Sequence, residues 1–134
     1  YGSEEQKQRL LPGMATGQII GAIAMSEPAA GSDLQGIKAT AVRSDQGYLL
    51  NGSKTFITNG WHADLVITVA KTDPTQGAKG TSLLLVEQGM EGFTKGKRLK
   101  RSGSRRRTPA SCFSTTCRCR PTICSAKKIR ASFT

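Results

Sequence analysis

After Glu91 this sequence contains no acidic residue, and before Cys112 it contains no cysteine. The missing thiols leave the body of the chain with no need for an oxidising compartment. No apolar run approaches the roughly 20 residues of a membrane span. No signal-peptide or other targeting pattern opens the chain. The start at Tyr1, with no Met before it, is what a piece of a longer protein shows. At 134 residues there is room for one small domain and none for a large multidomain enzyme.

The lack of acids divides the sequence in two. A formal charge of +11 points, taken whole, to a nucleic-acid partner. Yet residues 1–98 hold ten Lys and Arg against all nine Asp and Glu, a net of +1. Residues 99–134 hold ten basic residues, no acids and all four cysteines. Composition describes two texts joined near Leu99.

What is present begins with Ser3-Glu4-Glu5-Gln6, which has capping-box spacing and acids where a helix dipole favours them. The short helix it starts is expected to end or kink at Pro12-Gly13. Ile19 to Ser26 reads as a buried strand. Residues 38–43 read as a half-exposed strand, and the turn at 44–47 makes a hairpin with Tyr48-Leu49-Leu50. Asn51-Gly52 is expected to be a second tight turn. Residues 55–58 form a strand closed by Asn59-Gly60, and 64–72 and 82–87 form two more. Residues 89–97 are a loop leading to a last short strand. Short strands at such spacing indicate an antiparallel barrel or sandwich.

Two stretches stand out for chemistry. An apolar run, Ile19 to Ile23, ends abruptly in Ala24-Met25-Ser26-Glu27-Pro28-Ala29-Ala30-Gly31-Ser32-Asp33. Open backbone at a strand end can meet a ligand, and small residues let it approach closely. Some twenty residues later stands Asn51-Gly52-Ser53-Lys54-Thr55-Phe56-Ile57-Thr58-Asn59-Gly60. Ser26 and Ser32 add hydroxyls, while Phe56 offers a ring face with the Thr58 hydroxyl two residues on. By residue chemistry alone, 28–31 also suits an ordinary loop, and Phe56 an ordinary core position. His62, Asp64 and Lys54 read as structural or solvated residues. Glu27 reads as a brace for its turn through hydrogen bonds.

These motifs, with Leu-Asn-Gly-Ser-Lys at 50–54, Phe-Ile-Thr-Asn-Gly at 56–60 and Leu-Val-Glu at 85–87, resemble the acyl-CoA dehydrogenase family in order and spacing. The likeness covers about residues 1–100 and is nearest to the long-chain members. It implies a mainly β fold: residues 1–18 as the remnant of a helical domain, 19–100 as an antiparallel barrel or sandwich (the family's middle domain), and 101–134 as an irregular tail. It implies FAD as cofactor, held by Ile23, Ala24, Met25, Ser26, Gly31, Ser32, Phe56, Ile57 and Thr58, with Ser32 also near the thioester of an acyl-CoA substrate. Phe56 stands where many relatives carry Trp, keeping a ring but losing the indole donor. The family's reaction needs a carboxylate base over the substrate α-carbon. By the resemblance that Glu belongs to a C-terminal helical domain outside this chain, so no catalytic residue is assigned and the piece is expected to be inactive alone. An electron-transfer flavoprotein would be the acceptor and a homotetramer the assembly of the full protein. The resemblance implies the cytoplasm in a bacterium and the mitochondrial matrix in a eukaryote. An acyl-CoA oxidase or flavin monooxygenase on the same scaffold is the alternative within enzymes.

The tail admits a reading of another class, a basic nucleic-acid-binding arm with Arg105-Arg106-Arg107 gripping phosphates. Against it, only Phe113 and Phe133 supply rings. Cys112, Cys117, Cys119 and Cys124 lack a common zinc spacing. A frameshift explains more. With each codon started one base earlier, 108–117 can encode Asp-Thr-Ser-Glu-Leu-Phe-Phe-Asp-Asp-Val. Residues 123–131 can likewise encode Leu-Leu-Gly-Glu-Glu-Asn-Lys-Gly-Phe. The family carries both at this point. A base lost near residues 97–101 would leave the barrel without closing strands, with an unpaired edge and an aggregating product.

Overall fold

The structure, a computed structural model, describes residues 2–45, 47–98 and 111–119. Helix α1, Glu4–Ala15, starts as the sequence dictates. Ser3 Oγ accepts from Gln6 N at 3.2 Å, and Gln6 Oε1 accepts from Ser3 N at 2.9 Å. Pro12 does not end it: the helix runs on to Ala15, and Thr16 N caps it by donating to Pro12 O at 3.1 Å. Leu10 is its buried apolar contact, and Arg9 reaches Glu87 with two hydrogen bonds of 2.9 and 2.5 Å.

Among the described residues seven strands follow: β1 Gly21–Ala24, β2 Thr40–Ser44, β3 Gly47–Ile57, β4 Leu65–Lys71, β5 Thr81–Glu87, β6 Phe93–Arg98 and β7 Ser111–Cys119. They form one sheet in the order β1-β4-β2-β3-β7-β6, with β5 on the other edge of β4. The mainly β expectation stands, but several details differ from the sequence reading. The pairing is not wholly antiparallel, because β1 runs parallel to β4 and β2 touches the end of the same strand at Thr40–Lys71. Asn51-Gly52 is no turn: β3 continues straight through it. Gly52 is needed for another reason. At φ 153° it faces Ala39, whose Cβ lies 2.6 Å from where a side chain would begin. The bare backbone lets residues 38–39 pack down on β3.

Another difference is β7. Within the tail, read as irregular, Ser111–Cys119 forms a strand paired antiparallel to β3 and to β6. Phe113, Thr115 and Thr116 are good strand formers, and the strand they lie in covers one edge of β3. β6 begins at Phe93, inside the expected loop. The rest of the tail, with Arg105 to Arg107, Cys124 and Phe133, lies outside the described residues.

Alternation places Ala22, Ala24, Ala41, Leu50, Val66, Ala70, Leu84 and Val86 in the core, with Phe93 of β6 packed on the same cluster as Val86 of β5. The sheet is thus rolled around one interior without closing; among the described residues β5 and β6 each pair on one edge. Lys95 of β6 ties the roll to the turn after β3, donating to Trp61 O at 3.1 Å and Ala63 O at 2.8 Å. Among the described residues no helix is long and apolar enough to cross a membrane.

Candidate functional site

β1 and β2 share one edge of β4, the first at residues 65–68 and the second at Lys71. Between them the chain must leave that edge and return to it, and residues 25–39 make this excursion. Glu27 N and Ala30 N exchange hydrogen bonds with each other's carbonyls at 2.9 and 3.1 Å, closing a small turn around Pro28 and Ala29. Asp33 Oδ1 then accepts from Gln35 N at 3.0 Å and starts the short 3-10 turn Leu34–Gly36. The excursion is fastened to β3 where Thr55 N donates to Ser26 O at 2.9 Å.

At that fastening β3 carries an irregularity. Lys54 pairs with Phe113 of β7 and Ile57 with Ser111, so two residues of β3 stand against one of β7. This is a β-bulge, a device that re-aims side chains. Phe56 sits in it at φ 57°, a conformation rarely held by a bulky residue. Thr55 and Ile57 are buried on either side, while Phe56 is turned outward and 69% exposed. A large aromatic residue both strained and exposed marks a site rather than a core.

The candidate residues divide into four kinds. Met25, Phe56 and Thr58 present side chains to the surface, and half-buried Ser26 lies beside them through its bond to Thr55. Ala24 and Ile57 face the core, so only their backbone can meet a ligand. Gly31 and Ser32 are exposed in the loop, and Gly31 has open space where a side chain would stand. Ile23, expected in a buried strand, is 56% exposed on the outer face of the sheet, in a row with Ile67 and Leu85 across β4 and β5. His62 and Asp64 keep local roles: His62 is exposed in a turn, and Asp64 Oδ2 accepts from Ile20 N at 2.8 Å.

Glu27 braces the turn, and it does so with a partner that the sequence did not reveal. Its Oε2 accepts from Lys38 N at 2.6 Å, and its Oε1 from Ala39 N at 2.9 Å and from Lys54 Nζ at 2.8 Å. Lys54 Nζ also donates to Met25 O at 2.9 Å. Both side chains are withdrawn from solvent, Glu27 at 7% and Lys54 at 2% exposure. Burial opposes the charge on Glu27, but the bonds from Lys54, Lys38 and Ala39 outweigh it and hold the carboxyl below its usual range. Burial pushes the Lys54 ammonium down, with partial compensation from Glu27. A carboxylate so fully engaged is no proton acceptor for a substrate. The one sign of this pair in the sequence was a Lys between strand residues.

Residues 22–116 match the family model described as acyl-CoA dehydrogenase, middle domain. The chain belongs to the acyl-CoA dehydrogenase family. A rat relative, the mitochondrial long-chain specific acyl-CoA dehydrogenase, is 53% identical over 84% of this chain. The chain spans 27% of that relative's length. An acyl-CoA dehydrogenase from Geobacillus kaustophilus superposes with a TM-score of 0.88 at 45% identity, over 96% of this chain and 34% of its own. A structure titled PigA with FAD and proline superposes at 0.89 with 36% identity, over 96% of this chain and 33% of its own. Members of the acyl-CoA dehydrogenase family are oxidoreductases, and the matched region runs past Leu99 into the tail as far as Thr116.

Proposed function

We propose that this chain supplies one wall of an FAD site in an enzyme that dehydrogenates acyl-CoA thioesters between their α- and β-carbons. The observation that carries the reading is Phe56, held exposed and at positive φ in a bulge fastened to Ser26. A flat, extended ring system suits this face. Phe56 and Met25 offer apolar contact, and the hydroxyls of Ser26, Ser32 and Thr58 can bond ring nitrogens and carbonyls. Gly31, with open space around it, gives a close approach for backbone. FAD, when bound, would supply the acceptor for the substrate's β-hydride.

The chain's own part is to bind and orient. Phe56 would exclude water from one face of the flavin, and the exposed Ser32 would meet the thioester. Proton abstraction falls to a carboxylate elsewhere in the full protein, since Glu27 is spent on Lys38, Ala39 and Lys54. Residues 1–18 would close a preceding helical domain, and 19–100 would form the β-domain. An electron-transfer flavoprotein as acceptor, a homotetramer, and a mitochondrial or bacterial cytoplasmic location follow the same family reading. A frameshift in the coding of 101–134 remains part of this proposal, supported by the regrouped codons and tested by resequencing across residues 97–102.

Titration of FAD with the purified chain tests the wall directly. Quenched flavin fluorescence, weakened at least tenfold in Phe56→Ala, is expected. A parent chain with no quenching would sink the reading. A DNA complex that weakens steeply with salt, and is lost when the chain ends at Leu99, would favour the basic-arm alternative.

A further inference from the structure

We infer that the buried Glu27–Lys54 pair is a positioning element for the aromatic wall, fixing the approach to the bulge that turns Phe56 outward. The inference rests on the FAD reading above but concerns residues that touch no ligand. Three segments meet at this pair. Glu27 ends the turn after β1 and grips the amides of Lys38 and Ala39 as the chain returns towards β2. Lys54 rises from β3 and grips the carbonyl of Met25. The neighbouring Thr55 N bonds Ser26 O, so two consecutive residues of β3 hold the 25–26 segment.

The placement is specific. Lys54 is the last β3 residue in regular register before the bulge, and Ile57 is the first after it. A bulge relaxes unless its flanks are fixed, because positive φ at a bulky residue is unfavourable by itself. Ile57 fixes the far flank by burial in the core. The near flank has no comparable apolar anchor; it has a buried ammonium bonded on two sides. Surface ion pairs tolerate loose geometry, whereas a buried one holds its partners only with the remaining hydrogen bonds in place. Met25, Ser26 and Phe56 therefore keep one relative position, set from behind the wall.

The test uses the full 134-residue chain and the double variant Glu27→Gln/Lys54→Met, which removes both charges and leaves no unpaired one. Hydrogen exchange and FAD titration are read together with thermal melting. The expected result is a folded double variant with exchange accelerated at 38–39 and 55–58 and unchanged along β4 and β5. FAD affinity should fall at least tenfold, with altered visible circular dichroism of the bound flavin. A folded double variant with parental FAD affinity, flavin spectrum and exchange overturns the inference, since a merely structural pair would move only the melting temperature. If the double variant does not fold, Glu27→Asp decides. It keeps the charge but withdraws the carboxylate by one methylene, and a tenfold loss supports positioning where unchanged binding refutes it. A parent chain that binds no FAD sinks the function reading alone. Exchange then judges the pair: acceleration confined to 38–39 and 55–58 supports it, and uniform or no change refutes it.

Discussion

Among the described residues, two places join distant segments through a carboxylate and a cation, and they are opposite in kind. At the outer edge, Arg9 of α1 forks onto Glu87 of β5 across a surface both side chains share with water. Inside, Lys54 meets Glu27 at 2.8 Å with both groups buried. The distances are similar; the surroundings are not. Arg9 and Glu87 keep much of their hydration, so their attraction is screened and their contribution small. Glu27 and Lys54 have lost theirs, and only the added bonds to Lys38, Ala39 and Met25 make the site tolerable. The lesson is that the number of segments a pair joins, and how dry it is, decide its role.

Breaking the inner pair from one side should have the largest effect. Lys54→Ala strands a buried carboxylate and should cost about 3–5 kcal/mol, a large share of the roughly 5–15 kcal/mol of a typical domain; chemical denaturation would read it. Acid sharpens the same contrast. Glu27 is held below its ordinary value of 4.5, so its contribution is fully present above that pH and is lost as pH falls through the lowered value. The acid limb of the stability curve should therefore shrink in Glu27→Gln, and an identical limb would argue against the carboxylate's part. Phe56→Gly removes the positive-φ strain and should stabilise the fold by about 1 kcal/mol while weakening FAD binding. A gain of stability with unchanged flavin affinity would separate the strain from the site. Smallest is Arg9→Ala, expected to cost about 0–1 kcal/mol and less in high salt.

Much of this was legible in the sequence, and the failures have physical causes. Ser3 and Gln6 announced the cap because a capping box is written in local spacing. β4 was visible through alternation, β5 as a buried apolar run, and Glu27 as a brace through its place inside a turn. Asn51-Gly52 misled because the same dipeptide serves a tight turn and a close approach; only the position of Ala39 tells them apart. The bulge could not be read, since it exists only in the register of β3 against β7. Nor could the partnership of Glu27 with Lys54, which spans 27 positions and needs both strand ends folded. β7 was not legible because its sequence is short of apolar residues, and it becomes a strand through its pairing with β3 and β6.

Trp61 is the chain's one tryptophan, and it lies partly exposed in the turn that follows Phe56, Ile57 and Thr58, with Lys95 on its carbonyl. Nature has thereby placed a single intrinsic fluorophore next to the stretch of greatest interest. Its emission is free of contributions from any second indole. A change of wavelength reports the environment of this turn alone, and energy transfer to a yellow cofactor would dim it without any label attached.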